Sequence, residues 1–309
     1  MKEPTVMNNT NKKKTRNRLL VIIAVMLIIC VLAVVYILST AGKSRETVPE
    51  NEDITQEETA DNDKEDIGTA EAEALEKASA HVYSHRGSEG DDELTFAAYD
   101  KAIEAGSRFI EVDMVVSADG TIYAAHDDYA KEKTGIDGYF SGMTDKQIDE
   151  LKTTSGHSIL KLSDIFDEYG DSVTYIIDIK YSSARNIEAF TDLVKKYGYE
   201  NNVIAASFYL AALRQLEPEF PDMTRLYLAE DQGTFNGALN LSYVDIICVP
   251  ADIMTDENLK TAHEHDKEFS AWTLNKEEDI TKAIDMGADS YFTDDTGLAI
   301  ELEKKYRDD

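Results

Sequence analysis

Two carboxylates and one imidazole lie close together in the stretch FIEVDMVVSADGTIYAAHD, at Glu111, Asp113 and His126. Side chains two positions apart in a strand point the same way, so Glu111 and Asp113 share a face. Hard carboxylate oxygens bind divalent cations, and an imidazole can transfer protons near neutral pH. The stretch therefore predicts a divalent-metal site with a proton-transfer group beside it. A surface hairpin whose polar face is merely solvated remains open as the alternative.

The residue types of this stretch predict a β-hairpin. Two strand-like runs rich in β-branched and aromatic residues flank a Ser-Ala-Asp-Gly turn cluster. If Val116 pairs with Thr121 across that turn, the antiparallel register places Glu111 opposite His126. The hairpin would then bring the three polar side chains to one place.

Beyond the hairpin, strand-like and helix-like segments alternate from residue 81 to the end of the chain, which predicts a parallel sheet. The predicted strands, with the returning hairpin arm left out, are 81–85, 109–116, 173–180, 203–208, 224–229, 244–249, 269–274 and 290–293. Eight strands of this kind close a (β/α)8 TIM barrel. An open doubly wound α/β sheet is the alternative, but no glycine-rich dinucleotide loop follows the first strand.

Polar or titratable residues stand at the carboxyl ends of many of these strands. They are His85-Arg86, Glu111-x-Asp113, Asp178-x-Lys180, Ser207-Phe208, Trp272-Thr273 and Thr293-Asp294. TIM-barrel enzymes place their active sites at this end of the barrel. The pattern therefore indicates an enzyme site assembled from several strand ends.

The front of the chain differs from the rest. Residues 1–18 form a basic tail, residues 19–39 are free of charge, and residues 40–79 are acidic and poor in large apolar side chains. An apolar run of about 20 residues can span a bilayer, and basic residues before it predict a cytoplasmic N-terminus. We therefore expect a single-pass transmembrane helix in the cell membrane, a disordered linker, and an extracytoplasmic barrel over residues 80–309. A cleaved signal peptide is the alternative.

The net charge of −30 argues against nucleic acid as a partner, because no basic surface is available to meet its phosphates. A small substrate that carries one phosphate needs only a local positive site and is not excluded. Cys30 lies in the apolar run and Cys248 in a predicted strand, so no disulfide framework is expected.

An ordered set of short motifs carries a resemblance to a known family. The motifs are His85-Arg86-Gly87, Glu93-Leu94-Thr95, Ile110-Glu111-Val112-Asp113, Asp119-Gly120, His126-Asp127, Ile177-Asp178-Ile179-Lys180, Ser207-Phe208, Ala271-Trp272-Thr273-Leu274-Asn275 and Phe292-Thr293-Asp294-Asp295. From residue 81 onward the chain resembles the glycerophosphodiester phosphodiesterase family, whose fold is a phospholipase-C-like TIM barrel.

The resemblance implies hydrolysis of glycerophosphodiesters to glycerol 3-phosphate and an alcohol, with Ca²⁺ or Mg²⁺ as cofactor. It implies that Glu111, Asp113 and Asp178 hold the metal and that His85 and His126 are the general acid and base. Substrate contacts are expected from a set of four residues. They are Arg86 and Lys180 at the phosphate, Glu93, and Trp272 as a pocket wall. The substrate would be a small glycerophosphodiester, or one derived from lipid or teichoic acid.

Two departures from the family pattern bear on these roles. The family usually has Glu where this chain has Asp178, and Pro where it has Thr296. Two other functions also remain open: a related barrel phospholipase acting on phosphoinositides or sphingolipids, and an inactive membrane-tethered binding barrel.

Several polar residues are not assigned to the site. The other histidines are expected to be solvated or peripheral, and Asp294 is expected to cap a loop. These histidines are His81, His157, His263 and His265.

Overall fold

A computed structural model of the chain describes residues 74–90 and 92–307. The predicted tail at 1–18, the predicted transmembrane helix at 19–39 and the linker up to residue 73 lie outside these residues. No helix in the described part of the chain has the length and apolar character needed to cross a membrane. Residues 74–79, at the end of the expected linker, are helical, and Leu75 and Ala78 pack against the hydrophobic core.

Eight parallel strands form a closed barrel, as predicted, and a ninth, short strand pairs antiparallel at its rim. The strands are β1 (Val82–Ser84), β2 (Phe109–Val116), β3 (Ile122–Ala124), β4 (Thr174–Ile179), β5 (Val203–Ser207), β6 (Arg225–Leu228), β7 (Ile246–Pro250), β8 (Glu268–Trp272) and β9 (Ser290–Thr293). The sheet order is β1-β9-β8-β7-β6-β5-β4-β2-β3, and β1 also pairs with β2. This last pairing closes the ring, so the open doubly wound sheet is excluded.

Helices follow most of the strands. Those in the described residues are α1 (Phe96–Glu104), α2 (Lys131–Thr134), α3 (Asp145–Asp149), α4 (Leu162–Tyr169), α5 (Ala184–Tyr197), α6 (Leu210–Leu216), α7 (Gln232–Ala238), α8 (Asp256–Glu264), α9 (Glu277–Met286) and α10 (Thr296–Tyr306). Short 3-10 turns lie at Phe140–Gly142 and Ala251–Ile253. A capping box begins α3, with Thr144 as the cap and Gln147 as its partner.

Strand alternation divides the apolar side chains into two layers. On β2, the side chains of Ile110, Val112 and Met114 belong to the large core between the barrel and its helices. A smaller cluster, which includes Tyr83, Ile204 and Leu226, belongs to the alternate strand positions that fill the barrel. Residues two apart on a strand face the same side. Glu111 and Asp113 therefore face the barrel interior, while their neighbours hold β2 against the helices.

The register predicted for the hairpin is wrong by one residue. Val116 pairs with Ile122 rather than with Thr121, and Met114 pairs with Ala124. The reason lies in the turn, because Ser117 N–H donates to the Thr121 carbonyl oxygen and the Ser117 hydroxyl accepts from Thr121 N–H. Ser117 and Thr121 thus close a three-residue loop that contains Gly120 at φ +96°, a common hairpin form. His126 consequently lies beyond β3 instead of directly opposite Glu111.

Candidate active site

A cavity opens at the carboxyl ends of the barrel strands. One side is polar and the other apolar, and the lining residues are His85, Arg86, Glu111, Asp113, His126, Asp178, Lys180, Ala206, Phe208, Leu228, Trp272 and Phe292. All the polar members belong to β2, β4, the loops after β1 and β4, and the segment after β3. The apolar members come from β5, β6, β8, β9 and the residue after β5. Eight of the nine predicted site residues thus meet at one place, and Glu93 lies at its margin.

Three buried carboxylates form the floor of the polar side. Glu111, Asp113 and Asp178 each offer an oxygen, and these atoms lie within 4.8 Å of one another. The strand register explains this arrangement, because Asp113 is the direct neighbour of Asp178 across β2 and β4. Glu111 lies two residues earlier on the same face of β2.

Two cations neutralise part of this charge. Lys180 Nζ lies 2.5 Å from Asp113 Oδ1 and 2.6 Å from Asp178 Oδ2. Arg86 Nε lies 3.0 Å from Asp113 Oδ2 as an ion pair without hydrogen-bond geometry. The Arg86 backbone N–H donates to Glu111 Oε2 at 2.9 Å. The cationic side chains are therefore held by the same carboxylates that would bind a metal.

Burial and mutual repulsion shift these carboxyl groups. Burial raises the pKa of Glu111 well above its usual range, and the charge of Asp113 raises it further. Burial also raises the pKa of Asp178 to about 6, although Lys180 opposes that rise. For Asp113 the charges of Lys180 and Arg86 outweigh burial, so its pKa lies below its usual range. Burial and repulsion thus disfavour ionisation of Glu111 and Asp178, and a further cation bound among the three carboxyl groups would favour it.

The donor atoms fit a hard divalent cation. Asp113 Oδ2 and Asp178 Oδ1 are buried and have no hydrogen-bond partner among the described residues. Buried polar atoms without partners are costly, and carboxylate oxygens of this kind are the ligands that Ca²⁺ and Mg²⁺ prefer. Glu111, Asp113 and Asp178 are the residues that would hold such an ion. The shorter side chain at Asp178 still reaches the cluster.

His85 is oriented from the last strand of the barrel. Its Nδ1 lies 2.6 Å from Asp294 Oδ1, and Asn275 Nδ2 donates to Asp294 Oδ2 at 2.5 Å. Burial opposes ionisation of Asp294, but the hydrogen bond from His85 outweighs it and holds the pKa of this carboxyl below its usual range. Asp294, which was expected to cap a loop, thus contacts the site through His85, and the N-cap of α10 is its neighbour Asp295. Barrel closure, which places β9 beside β1, is the signal that could have revealed this contact.

Asp294→Asn is expected to lower kcat by about tenfold to a hundredfold with little change in KM, because His85 loses the charged acceptor that fixes its ring. Steady-state kinetics on a glycerophosphodiester measure this. Asp295→Asn is the matched control, since asparagine caps helices as well as aspartate does. Equal activities for the two variants would contradict an orienting role for Asp294.

The remaining predicted residues lie at the cavity rim. His126 is about 40% exposed, and its Nδ1 lies 3.1 Å from Asp127 Oδ2. Glu93 Oε2 accepts from Arg86 Nη1 at 3.0 Å, so Glu93 acts on the site through the arginine. Trp272 forms part of the wall and packs edge-on against Phe208, with 5.5 Å between ring centroids. Its buried Nε1 has no partner among the described residues.

The other four histidines lie away from this cavity. His81 and His263 contact Asp289, through its carbonyl and carboxylate oxygens respectively. His265 bonds the Thr261 carbonyl oxygen, and His157 is exposed. None of them lines the cavity formed by the described residues.

Gly87 determines the path of the loop that carries His85 and Arg86. Its φ is +104°, and a Cβ at this position would lie 2.5 Å from Ala98 Cβ. Arg86 itself has φ +57°. Only glycine fits such close contact with α1, and the loop can then aim the Arg86 N–H at Glu111.

Comparisons with known proteins agree with this geometry. The sequence model of the "Glycerophosphoryl diester phosphodiesterase family" matches residues 85–298. A glycerophosphodiester phosphodiesterase of Caldanaerobacter subterraneus is 26% identical over 72% of this chain and 98% of that protein. A glycerophosphodiester phosphodiesterase structure from Thermotoga maritima has a TM-score of 0.62 at 26% identity, covering 72% of this chain and 98% of its own. An Oleispira antarctica phosphodiesterase in complex with the product sn-glycerol-3-phosphate has a TM-score of 0.65 at 20% identity, covering 73% and 96%.

Proposed function

The chain belongs to the glycerophosphoryl diester phosphodiesterase family of phosphoric diester hydrolases, and we propose that it cleaves glycerophosphodiesters with a divalent metal and two histidines. One observation carries this proposal: three buried carboxylates, two cationic side chains and two histidines line the same cavity. A relative's structure with sn-glycerol-3-phosphate as product supports the same reaction.

Charge balance at the cavity floor supports binding of a phosphodiester. With all three carboxylates ionised, Arg86 and Lys180 leave one net negative charge on the cluster. A bound divalent cation would reverse that sign and would act as a Lewis acid on a phosphoryl oxygen. Arg86 can then offer its planar fork to the phosphate and Lys180 a point charge. The negative charge of the diester matches the sign of the metal-loaded site.

The two histidines divide the proton transfers. His85, held by Asp294, takes the proton from the attacking oxygen, which is either water or the free glycerol hydroxyl of the substrate. If the hydroxyl attacks, a cyclic phosphate forms first and water then opens it. His126, at the exposed edge of the cavity, gives a proton to the departing alcohol oxygen. Phe208, Trp272 and other apolar residues form the opposite wall of the cavity.

Hydrolysis assays separate this function from its alternatives. We expect turnover of glycerophosphocholine and of bis(p-nitrophenyl) phosphate, abolished by EDTA and restored by Ca²⁺ or Mg²⁺. Turnover of phosphoinositides or sphingolipids alone would favour the related phospholipases. No turnover of any diester after metal addition would favour a binding barrel.

We also propose that the barrel lies outside the cytoplasm, tethered to the membrane by residues 19–39. The apolar run and its basic flank support this topology. Protease added to intact cells should cut within residues 43–78 and release a soluble, active barrel. Recovery of the barrel in the cytosol would contradict the proposal.

A further inference from the structure

The side chain of Asn275 extends from the loop after β8 to the strand end that carries Asp294. Asn275 Nδ2 donates to Asp294 Oδ2 at 2.5 Å, and Asn275 Oδ1 accepts from the Asp294 backbone N–H at 2.9 Å. A carboxylate can only accept and a backbone N–H can only donate, so the two contacts together need an amide in this orientation. One side chain thus holds Asp294 both by its carboxylate and by its backbone.

The backbone on both sides of this contact is fixed to the barrel. Leu274 is fully buried in the hydrophobic core, and its N–H donates to the Phe292 carbonyl oxygen at 2.8 Å. The Asp294 carbonyl oxygen accepts from the Glu89 N–H at 2.6 Å. The position of the Asn275 amide relative to Asp294 is therefore set by the fold and not by the contact alone.

Hydrogen bonds link three neighbouring strand ends through Asp294. The strands β8, β9 and β1 are adjacent in the ring, and Asn275, Asp294 and His85 follow them in that order. Asp294 Oδ1 lies 2.6 Å from His85 Nδ1, while Oδ2 accepts from Asn275. Burial raises the pKa of Asp294, but hydrogen bonds from His85 and then from Asn275 lower it below its usual range. The contact with Asn275 therefore sets the rotation of the carboxylate and the oxygen that faces His85.

An acceptor at Nδ1 decides which nitrogen of His85 carries the proton. When Nδ1–H is donated to Asp294, Nε2 is left free to take the proton from the attacking oxygen. We propose that Asn275 is a positioning residue for this proton transfer, because it keeps Asp294 Oδ1 turned toward His85 and so keeps the imidazole in the reactive tautomer and orientation. This role rests on the proposed hydrolysis, in which His85 is the base.

Asn275→Ala is expected to lower kcat for glycerophosphocholine about tenfold and to leave KM unchanged, the effect of one lost hydrogen bond to a charged group. Asn275→Asp should lower kcat at least as far, because its carboxylate can still accept from the Asp294 N–H but repels the Asp294 carboxylate. Steady-state kinetics on the full-length protein measure both effects. Asn240→Ala, in an exposed turn after α7 and outside the cavity, is the matched control and should keep full activity.

A double-mutant cycle with Asp294→Asn separates positioning from a general loss of structure. If Asn275 acts through the charged carboxylate, either substitution of Asn275 should cost less than about threefold once Asp294→Asn is present. Disruption of the loop after β8 would instead multiply the two losses. Equal losses in the wild-type and Asp294→Asn backgrounds, or wild-type kcat in both Asn275 variants, would overturn the proposal.

The Nδ1 proton of His85 provides a measurement that does not depend on turnover. Hydrogen bonds to a carboxylate are short, and an imidazole proton in such a bond gives a downfield NMR signal that exchanges slowly with water. The signal should be present in the wild type and in Asn240→Ala, and absent in Asn275→Ala and in His85→Ala. Its retention in Asn275→Ala would contradict the proposal. Failure of the metal-loaded wild type to hydrolyse any diester would instead overturn the proposed function itself.

Discussion

His85→Ala is expected to lower kcat by at least about a hundredfold, because the reaction loses the group that takes the proton from the attacking oxygen. His126→Ala is expected to have an effect of the same order, through loss of proton donation to the leaving group. The loss in the His126 variant should be smaller for a diester with a p-nitrophenol leaving group, since that leaving group needs little protonation. Steady-state kinetics on glycerophosphocholine and on bis(p-nitrophenyl) phosphate measure the two effects.

Folding should survive both substitutions. His85 and His126 are partly exposed and belong to none of the hydrophobic clusters. Thermal unfolding of the variants should therefore match the wild type within a few degrees. His157→Ala, at an exposed position outside the cavity, is the control and should keep full activity. Near-wild-type turnover in either site variant would refute its role in proton transfer.

Asp178→Asn is expected to raise the metal concentration for half-maximal activity by at least about tenfold, because the site loses one of its three anionic ligands. The neutral amide is a weaker ligand for Ca²⁺ or Mg²⁺, and Asp178 Oδ1 is one of the two oxygens without a partner. Titration of each cation into EDTA-treated protein measures the shift. Metal binding is also measured without activity, as the rise in Tm that a ligand of the folded state produces.

Asp178→Glu serves as the matched control because it keeps the charge and adds one methylene. We expect it to retain or tighten metal binding. The opposing interpretation is that Asp178 only pairs with Lys180, at 2.6 Å. In that case Asp178→Asn would leave both the activating metal concentration and the metal-dependent rise in Tm unchanged.

The sequence was sufficient to predict the barrel and the residues of its polar cavity, since strand ends are visible from residue type alone. The hairpin register was not predictable, because it depends on hydrogen bonds between Ser117 and Thr121 that the alternation of side chains does not reveal. A shift of one residue still left His126 among the residues that line the cavity. The local sequence pattern thus identified the residues of the site, and the geometry of the turn determined where His126 lies relative to Glu111.

The role of Asp294 was missed for a different reason. Its partner His85 is 209 positions away in the chain, and nothing in the local sequence connects the two. Only the pairing of β1 with β9 brings them together. The predicted strands indicate this contact only when they are arranged in the cyclic order of a closed barrel, with the last strand beside the first.

The seam between β1 and β9 also has a consequence for biosynthesis. Ser84 pairs with Thr293, so the ring cannot close until the strand next to the last helix has left the ribosome. Parallel pairing over such a separation forms late, because much of the chain must order before the contact is gained. A nascent polypeptide would therefore carry His85 without its orienting carboxylate. We expect hydrolysis to begin only after translation has passed β9, and a chain that ends before Asp294 to be inactive even where its earlier strands are folded.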